Sequence, residues 1–196
     1  MAAFMRVFLT GYYNPAKFAE RLRDAPAPQW GFYAQLIRAL LDAFILYLPL
    51  FIMGYSPPTP SYLPIFSTEN YFGALVLIAP IVLTAQWLLG SSLVHVVLRL
   101  SGRHTDFDQI LNINGMATLV VGAFLVVWDW AWIIAGGMNQ YMLGTSHLVI
   151  DIWGGVLTVV GMKKLLGVPI WMGILLFILV IAVALPLAVM FMRSPI

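Results

Sequence analysis

The chain has 196 residues, 62% of them hydrophobic and 9% charged, where an ordinary soluble domain carries about 25% charged residues. A spanning helix needs roughly 20 apolar residues to cross a hydrocarbon core about 30 Å thick, so the length allows roughly four to six spans and excludes a separate soluble domain. The net charge of +2 comes from basic residues scattered between apolar runs, unlike a nucleic-acid-binding stripe, and the absence of cysteine removes disulfides, thiolate metal sites and cysteine nucleophiles.

The N-terminus turns polar after Thr10 without an apolar core and cleavage site of the signal-peptide kind, so the first true span is expected to act as its own insertion signal. Asn14 before Pro15 reads as a helix N-cap with proline in the first turn. Phe18, Ala19 and Leu22 then share one side, while Lys17, Glu20, Arg21 and Arg23 take the rest. That pattern predicts a short helix in the headgroup layer, with Phe18, Leu22, Lys17 and Arg21 as the interfacial residues and Phe4, Val7 and Phe8 adding a second stripe before it. Ala25-Pro26-Ala27-Pro28 ends the segment.

Residues 1–31 are therefore set apart as an amphipathic cytoplasmic or interfacial segment, and 32–196 as one transmembrane unit. The fold class is all-α, with five spans at about 32–54, 71–100, 110–137, 145–162 and 168–192. Prolines 57, 58, 60 and 64 make 55–70 a loop. Ser101 to Asp108 is a polar connection, Met138 to Gly144 an uncharged turn, and Lys163-Lys164 to Gly167 a tight basic turn. Cytoplasmic loops collect Lys and Arg. Arg6, Lys17, Arg21, Arg23, Arg38, Arg99, Arg103, Lys163 and Lys164 fall on one side and only Arg193 on the other, nine against one. The N-terminus is thus expected in the cytoplasm and, with five spans, the C-terminus outside.

Ionisable groups in a span cost roughly 2.5–3.5 kcal/mol each, so Asp42, His95, Asp129, His147 and Asp151 each need a partner. At about 1.5 Å per residue, Asp129 and Asp151 lie roughly 12 and 9 Å below the outer ends of their spans. His147 precedes Asp151 by four residues and shares its helix face. Asp129, His147 and Asp151 form the sharpest candidate site. They are read either as ligands of a divalent metal or members of a proton relay, or as interhelical glue held by Trp indoles, hydroxyls and backbone. Asp42 is matched in depth by Gln86, and His95 follows Ser91 by four residues, which suggests two further polar pairs.

Pro49, Pro80 and Pro186 free the carbonyls of Ile45, Val76 and Ala182 to accept other bonds. Gly136-Gly137 and Gly154-Gly155 favour close helix pairing, and the Trp set at 128, 130, 132, 153 and 171 reads as an interfacial belt. No His-Glu-x-x-His, Gly-x-Ser-x-Gly or phosphate-cradling glycine loop is present, so no catalytic residue and no enzyme activity is expected.

The run from Val7-Phe8 through Tyr13-Asn14-Pro15-Ala16-Lys17-Phe18-Ala19-Glu20-Arg21-Leu22, then Pro26 to Trp30 and a long apolar span, resembles the start of Yip-domain proteins. The likeness extends to five spans with a polar second loop and a short basic turn before the last. Eukaryotic members bind prenylated Rab-type GTPases through a long cytoplasmic region with an acidic-Leu-Tyr-Gly-Pro stretch, which is not found here, so GTPase binding is not carried over. The compact layout resembles the prokaryotic branch, which implies the cell (inner) membrane. The expected function is a membrane-organising or scaffolding bundle whose partners are the lipid bilayer and further copies of the chain, without cofactor. The alternative is a small-solute, proton or divalent-cation transporter or channel using Asp129, His147, Asp151 and Asp42.

Overall fold

The computed structural model describes residues 2–24, 29–57, 67–136 and 140–191, with the side chains of 140–143 left aside. The Ala25–Pro28 break, most of the 55–70 loop, part of the turn after Gly136 and Arg193 lie outside the described residues. Every regular element among the described residues is helical: α1 Ala2–Thr10, α2 Pro15–Arg23, α3 Trp30–Leu40, a π-helical segment Leu41–Tyr47, α4 Leu48–Ile52, α5 Tyr71–Leu100, α6 Phe107–Ala135, α7 Gln140–Leu166 and α8 Ile170–Phe191.

Local chemistry sets the boundaries. Asn14 caps α2 by accepting from the Lys17 amide at 2.9 Å, as its place before Pro15 predicts. Asp106 caps α6 by accepting from the Asp108 and Gln109 amides at 2.9 and 3.4 Å, which starts that helix before the expected Ile110. Gly136 closes α6 with φ at 63°, a left-handed conformation that suits glycine. The expected second span at 71–100 coincides with α5.

Trp30–Ile52, α5, α6 and α8 are long and apolar enough to cross a membrane, four stretches among the described residues. The expected fourth span, at about 145–162, falls on α7, which is not one of the four found among the described residues. The buried share of these spans falls from 67% in α6 to 6% in α8, so α6 is the central helix and α8 the peripheral one.

Paired contacts fix the helix directions. Gly31 meets Gly115 and Arg38 meets Gly122, so α3 and α6 run parallel. Gly154 meets Val121 and Gly161 meets Ile113, so α6 and α7 are antiparallel. Gly155 against Phe177 and Gly173 against Val159 make α7 and α8 antiparallel along the same stretch. Gly90 against Val180, with Gln86 Nε2 donating to the Ala184 carbonyl at 2.8 Å, pairs α5 and α8 antiparallel.

The closest helix approach is therefore between α3 and α6. A Cβ on Gly115 would run into the Gly31 carbonyl, while Gly31 donates its own amide to Asn112 Oδ1 at 2.5 Å. The Gly154-Gly155 pair is a contact site as expected, but it receives side chains, Val121 on one face and Phe177 on the other.

The N-terminal segment needs a correction. Phe18 and Ala19 are fully buried and Leu22 nearly so, packed with Trp30, Ile113, Met116 and Leu157 in one core. The apolar face of α2 is thus satisfied by α6 and α7 and is not presented to headgroups. Burying a Phe and a Leu side chain gains roughly 1.5–3 kcal/mol apiece, and the same face cannot do both. Residues 1–31 share this core with the helices that follow, since Val7 belongs to it and Phe4 stacks edge-on against Trp30 at 5.4 Å.

Candidate functional site

Two bonded polar pairs occupy the interior. On α3 and the π-helical segment, one turn separates Arg38 from Asp42, and the guanidinium donates to the carboxylate Oδ1. Both are buried, Asp42 at 1% exposure. The guanidinium fits because position 122 is glycine: a Cβ there would overlap it. The expected partner of Asp42, Gln86, instead reaches α8. Arg38 one turn away takes the carboxylate, because an opposite charge at i−4 neutralises it where an amide only hydrogen-bonds.

The second pair joins α6 to α7. His147 Nε2 lies 2.6 Å from Asp129 Oδ1, with Asp129 buried. The depth argument from the sequence matches Asp129 with Asp151; the residue set against Asp129 is His147, one turn earlier on that helix face. Asp151 follows on the same helix but is exposed, beside Leu148 and Ile152, which are 59% and 58% exposed. It does not converge on the pair: among the described residues no group of three His, Cys, Asp or Glu side chains is placed to hold a metal ion. The residues expected as three ligands stand as a bonded pair with a charged neighbour.

Arg38 lies within electrostatic reach of Tyr47, Asp129 and Asp151. Sequence reasoning left Arg38 among the topology-setting cations and left Gln35 out altogether. Yet Gln35, Arg38 and Asp42 recur at helical spacing on one face of the first span, a signal that was legible.

Other polar groups in the spans tie helix to helix. Trp130 Nε1 donates to the Ile45 carbonyl at 2.8 Å, the acceptor that Pro49 frees. Trp128 donates to Ser146 Oγ at 2.9 Å, Trp87 to the Leu111 carbonyl at 3.1 Å and Trp153 to the Gly11 carbonyl at 2.8 Å. Three members of the expected Trp belt are thus interhelical donors, while Trp171 is 65% exposed as a belt residue would be. Ser91 accepts from Asn114 at 2.9 Å, and His95 pairs with Thr105 Oγ1 at 2.8 Å and with the Phe107 ring, which corrects the expected Ser91–His95 pair. Residues one turn apart on α5 have separate neighbours across the helix interface.

At the basic end of the bundle, α2 is fastened to the α7–α8 turn. Lys164 pairs with Glu20 at 3.2 Å, Arg23 donates to the Lys164 carbonyl at 2.7 Å, and Arg21 donates to the Arg6 carbonyl at 3.1 Å and to Thr10 Oγ1. Lys17 and Arg21, expected to face lipid headgroups, flank this fastening, Lys17 exposed and Arg21 half-buried.

The Yip1 domain profile matches residues 11–191, from the turn before α2 to the last residue of α8. No curated protein and no solved structure gives a significant match. The match takes in nearly the whole chain, including both buried polar pairs and the fastened α2, and the chain accordingly belongs to the Yip1 domain family of membrane proteins.

Proposed function

We propose that the chain is a five-span bundle of the cell (inner) membrane, N-terminus cytoplasmic and C-terminus outside, that acts as a non-enzymatic membrane-organising scaffold without cofactor. The fourth of the five spans is supported by α7, which runs antiparallel to both α6 and α8. The basic residues of α2, the α5–α6 connection and the α7–α8 turn gather at one end, and they favour that end as cytoplasmic.

One observation supports scaffolding best: the ionisable side chains of the interior bond to one another, Arg38 with Asp42 and His147 with Asp129, as intrahelical and interhelical fastening. A bundle fastened in this way presents its outer surface to lipid and to further copies of itself. The decisive experiment introduces single cysteines at Thr10, Gly102, Gly144 and Gly167 of this cysteine-free chain and labels intact cells with a membrane-impermeant maleimide. Labelling at Gly144 alone is expected; labelling at Gly167 would overturn the five-span topology. Cross-linking in native membranes then tests self-association, and a monomer at all expression levels would overturn scaffolding through copies of the chain.

A second reading, transport of a small solute, proton or divalent cation, draws support from Asp151, a carboxylate exposed among apolar residues next to the His147–Asp129 pair. Metal binding by purified protein, compared with Asp129→Asn and Asp151→Asn, separates a divalent-cation site from structural pairing.

A further inference from the structure

Gln35 is the one buried side chain of the described residues whose amide nitrogen and oxygen both find no hydrogen-bond partner in the protein, and it is 1% exposed. Two turns further along the same face, Asp42 Oδ2 is equally buried and equally without a partner, its other oxygen being held by Arg38. Buried polar atoms left in this state cost roughly 1–3 kcal/mol each, and at these depths lipid supplies no substitute.

The three atoms define what satisfies them. Gln35 Nε2 needs an acceptor, Gln35 Oε1 and Asp42 Oδ2 need donors, and all three atoms are buried. Water is the small molecule that both donates and accepts. The backbone also changes here: the α-helical ladder gives way to a π-helix from Leu41 to Tyr47, starting beside Asp42. Such segments inside α-helices recur at functional sites.

We propose that Gln35, Arg38 and Asp42 hold bound water within the membrane and that Asp42 exchanges a proton with it. In the step, a hydronium ion gives its proton to Asp42 Oδ2: one O–H bond of the hydronium breaks, one forms on the carboxylate, and neutral water remains. The Arg38–Asp42 pair thereby passes from neutral to a net positive charge. The titratable groups around it are Asp129 on α6, Asp151 and His147 on α7, and the phenols of Tyr47 and Tyr71. Gln35 and Asp42 span about 10 Å of helix at about 1.5 Å per residue, roughly a third of the hydrocarbon thickness. This deepens the transport reading by naming the proton, and it rests on residues other than the Asp129–His147 pair.

The test uses full-length protein in phosphatidylcholine–phosphatidylglycerol bilayers. Water-edited solid-state NMR should show polarisation passing from water to the Gln35 side-chain amide within the build-up time of surface amides, while Ala34 and Ala39 methyls beside it lag. Infrared difference spectra between neutral and acid pH should show a protonated carboxyl band that disappears in Asp42→Asn. Should that variant fail to fold, isotope labelling of aspartate in the wild-type chain reads the same band. A Gln35 amide as slow as its alanine neighbours, or a band unchanged in Asp42→Asn, overturns the proposal. Dye-loaded vesicles separate it from transport: no proton flux with both signals intact counts against transport and supports a site that only exchanges.

Discussion

Gly31 on α3 lies against Gly115 on α6 so closely that the carbonyl of one occupies the space a side chain on the other would need. Seven residues further along both helices, the Arg38 guanidinium lies on Gly122 in the same way. The parallel α3–α6 pairing is thus built on two glycines of the central helix, one admitting backbone and the other a charge.

Gly115→Ala should therefore destabilise the bundle by about 1–3 kcal/mol, the usual cost of forcing extra atoms into a packed site. Gly144→Ala is the control, because nothing lies within 4 Å of a Cβ there. It should be neutral or slightly stabilising, by up to about 1 kcal/mol from helix propensity. Thermal unfolding in one detergent, read by circular dichroism, compares them; equal midpoints would refute the close crossing.

Arg38→Leu leaves Asp42 as an unpaired charge in a buried site, which costs about 3–5 kcal/mol. Arg38→Leu combined with Asp42→Leu removes both charges and should recover most of that loss. A double variant no more stable than the single one would show that the two residues do not act as a pair. Denaturant titration of the unaltered protein, Arg38→Leu, Asp42→Leu and the double variant gives the coupling directly.

Hydropathy and charge bias alone located the helices, because a membrane leaves a chain few ways to satisfy its backbone. The neighbourhood of Asp129 was legible in part: equal depth on adjacent antiparallel helices points to Asp151, and the bonded partner is His147, one turn away on the same face. The role of α2 was not. An amphipathic helix reads the same whether its apolar face meets lipid or protein, and Phe18 lies on Leu157 and Ile113, residues more than 90 positions away. The π-helix at Leu41–Tyr47 left no trace either, as it depends on how Asp42 and Arg38 settle against α6.

Trp130→Phe keeps the ring and removes the donor to the Ile45 carbonyl, which Pro49 leaves without its own helical partner. The expected loss is about 0.5–1.5 kcal/mol, that of an ordinary hydrogen bond. Pro49→Ala should reduce the effect of Trp130→Phe by restoring an amide for Ile45. A Trp130→Phe cost identical in both backgrounds would disprove the link.

The fastening of α2 makes a contrast between burial and surface charge. Phe18→Ala removes a fully buried ring and should cost about 3–5 kcal/mol, whereas Lys164→Ala removes an exposed partner of Glu20 and should cost at most about 1 kcal/mol. Because α2 is short and held mainly by Phe18, Ala19 and Leu22, Phe18→Ala should release α1 and α2 locally before the spans unfold. Limited proteolysis in detergent should then cut the variant between α2 and α3 while leaving the Lys164→Ala protein intact. Cleavage at equal rates in both would mean that α2 is held by its charges, and the burial of its apolar face would no longer explain its position.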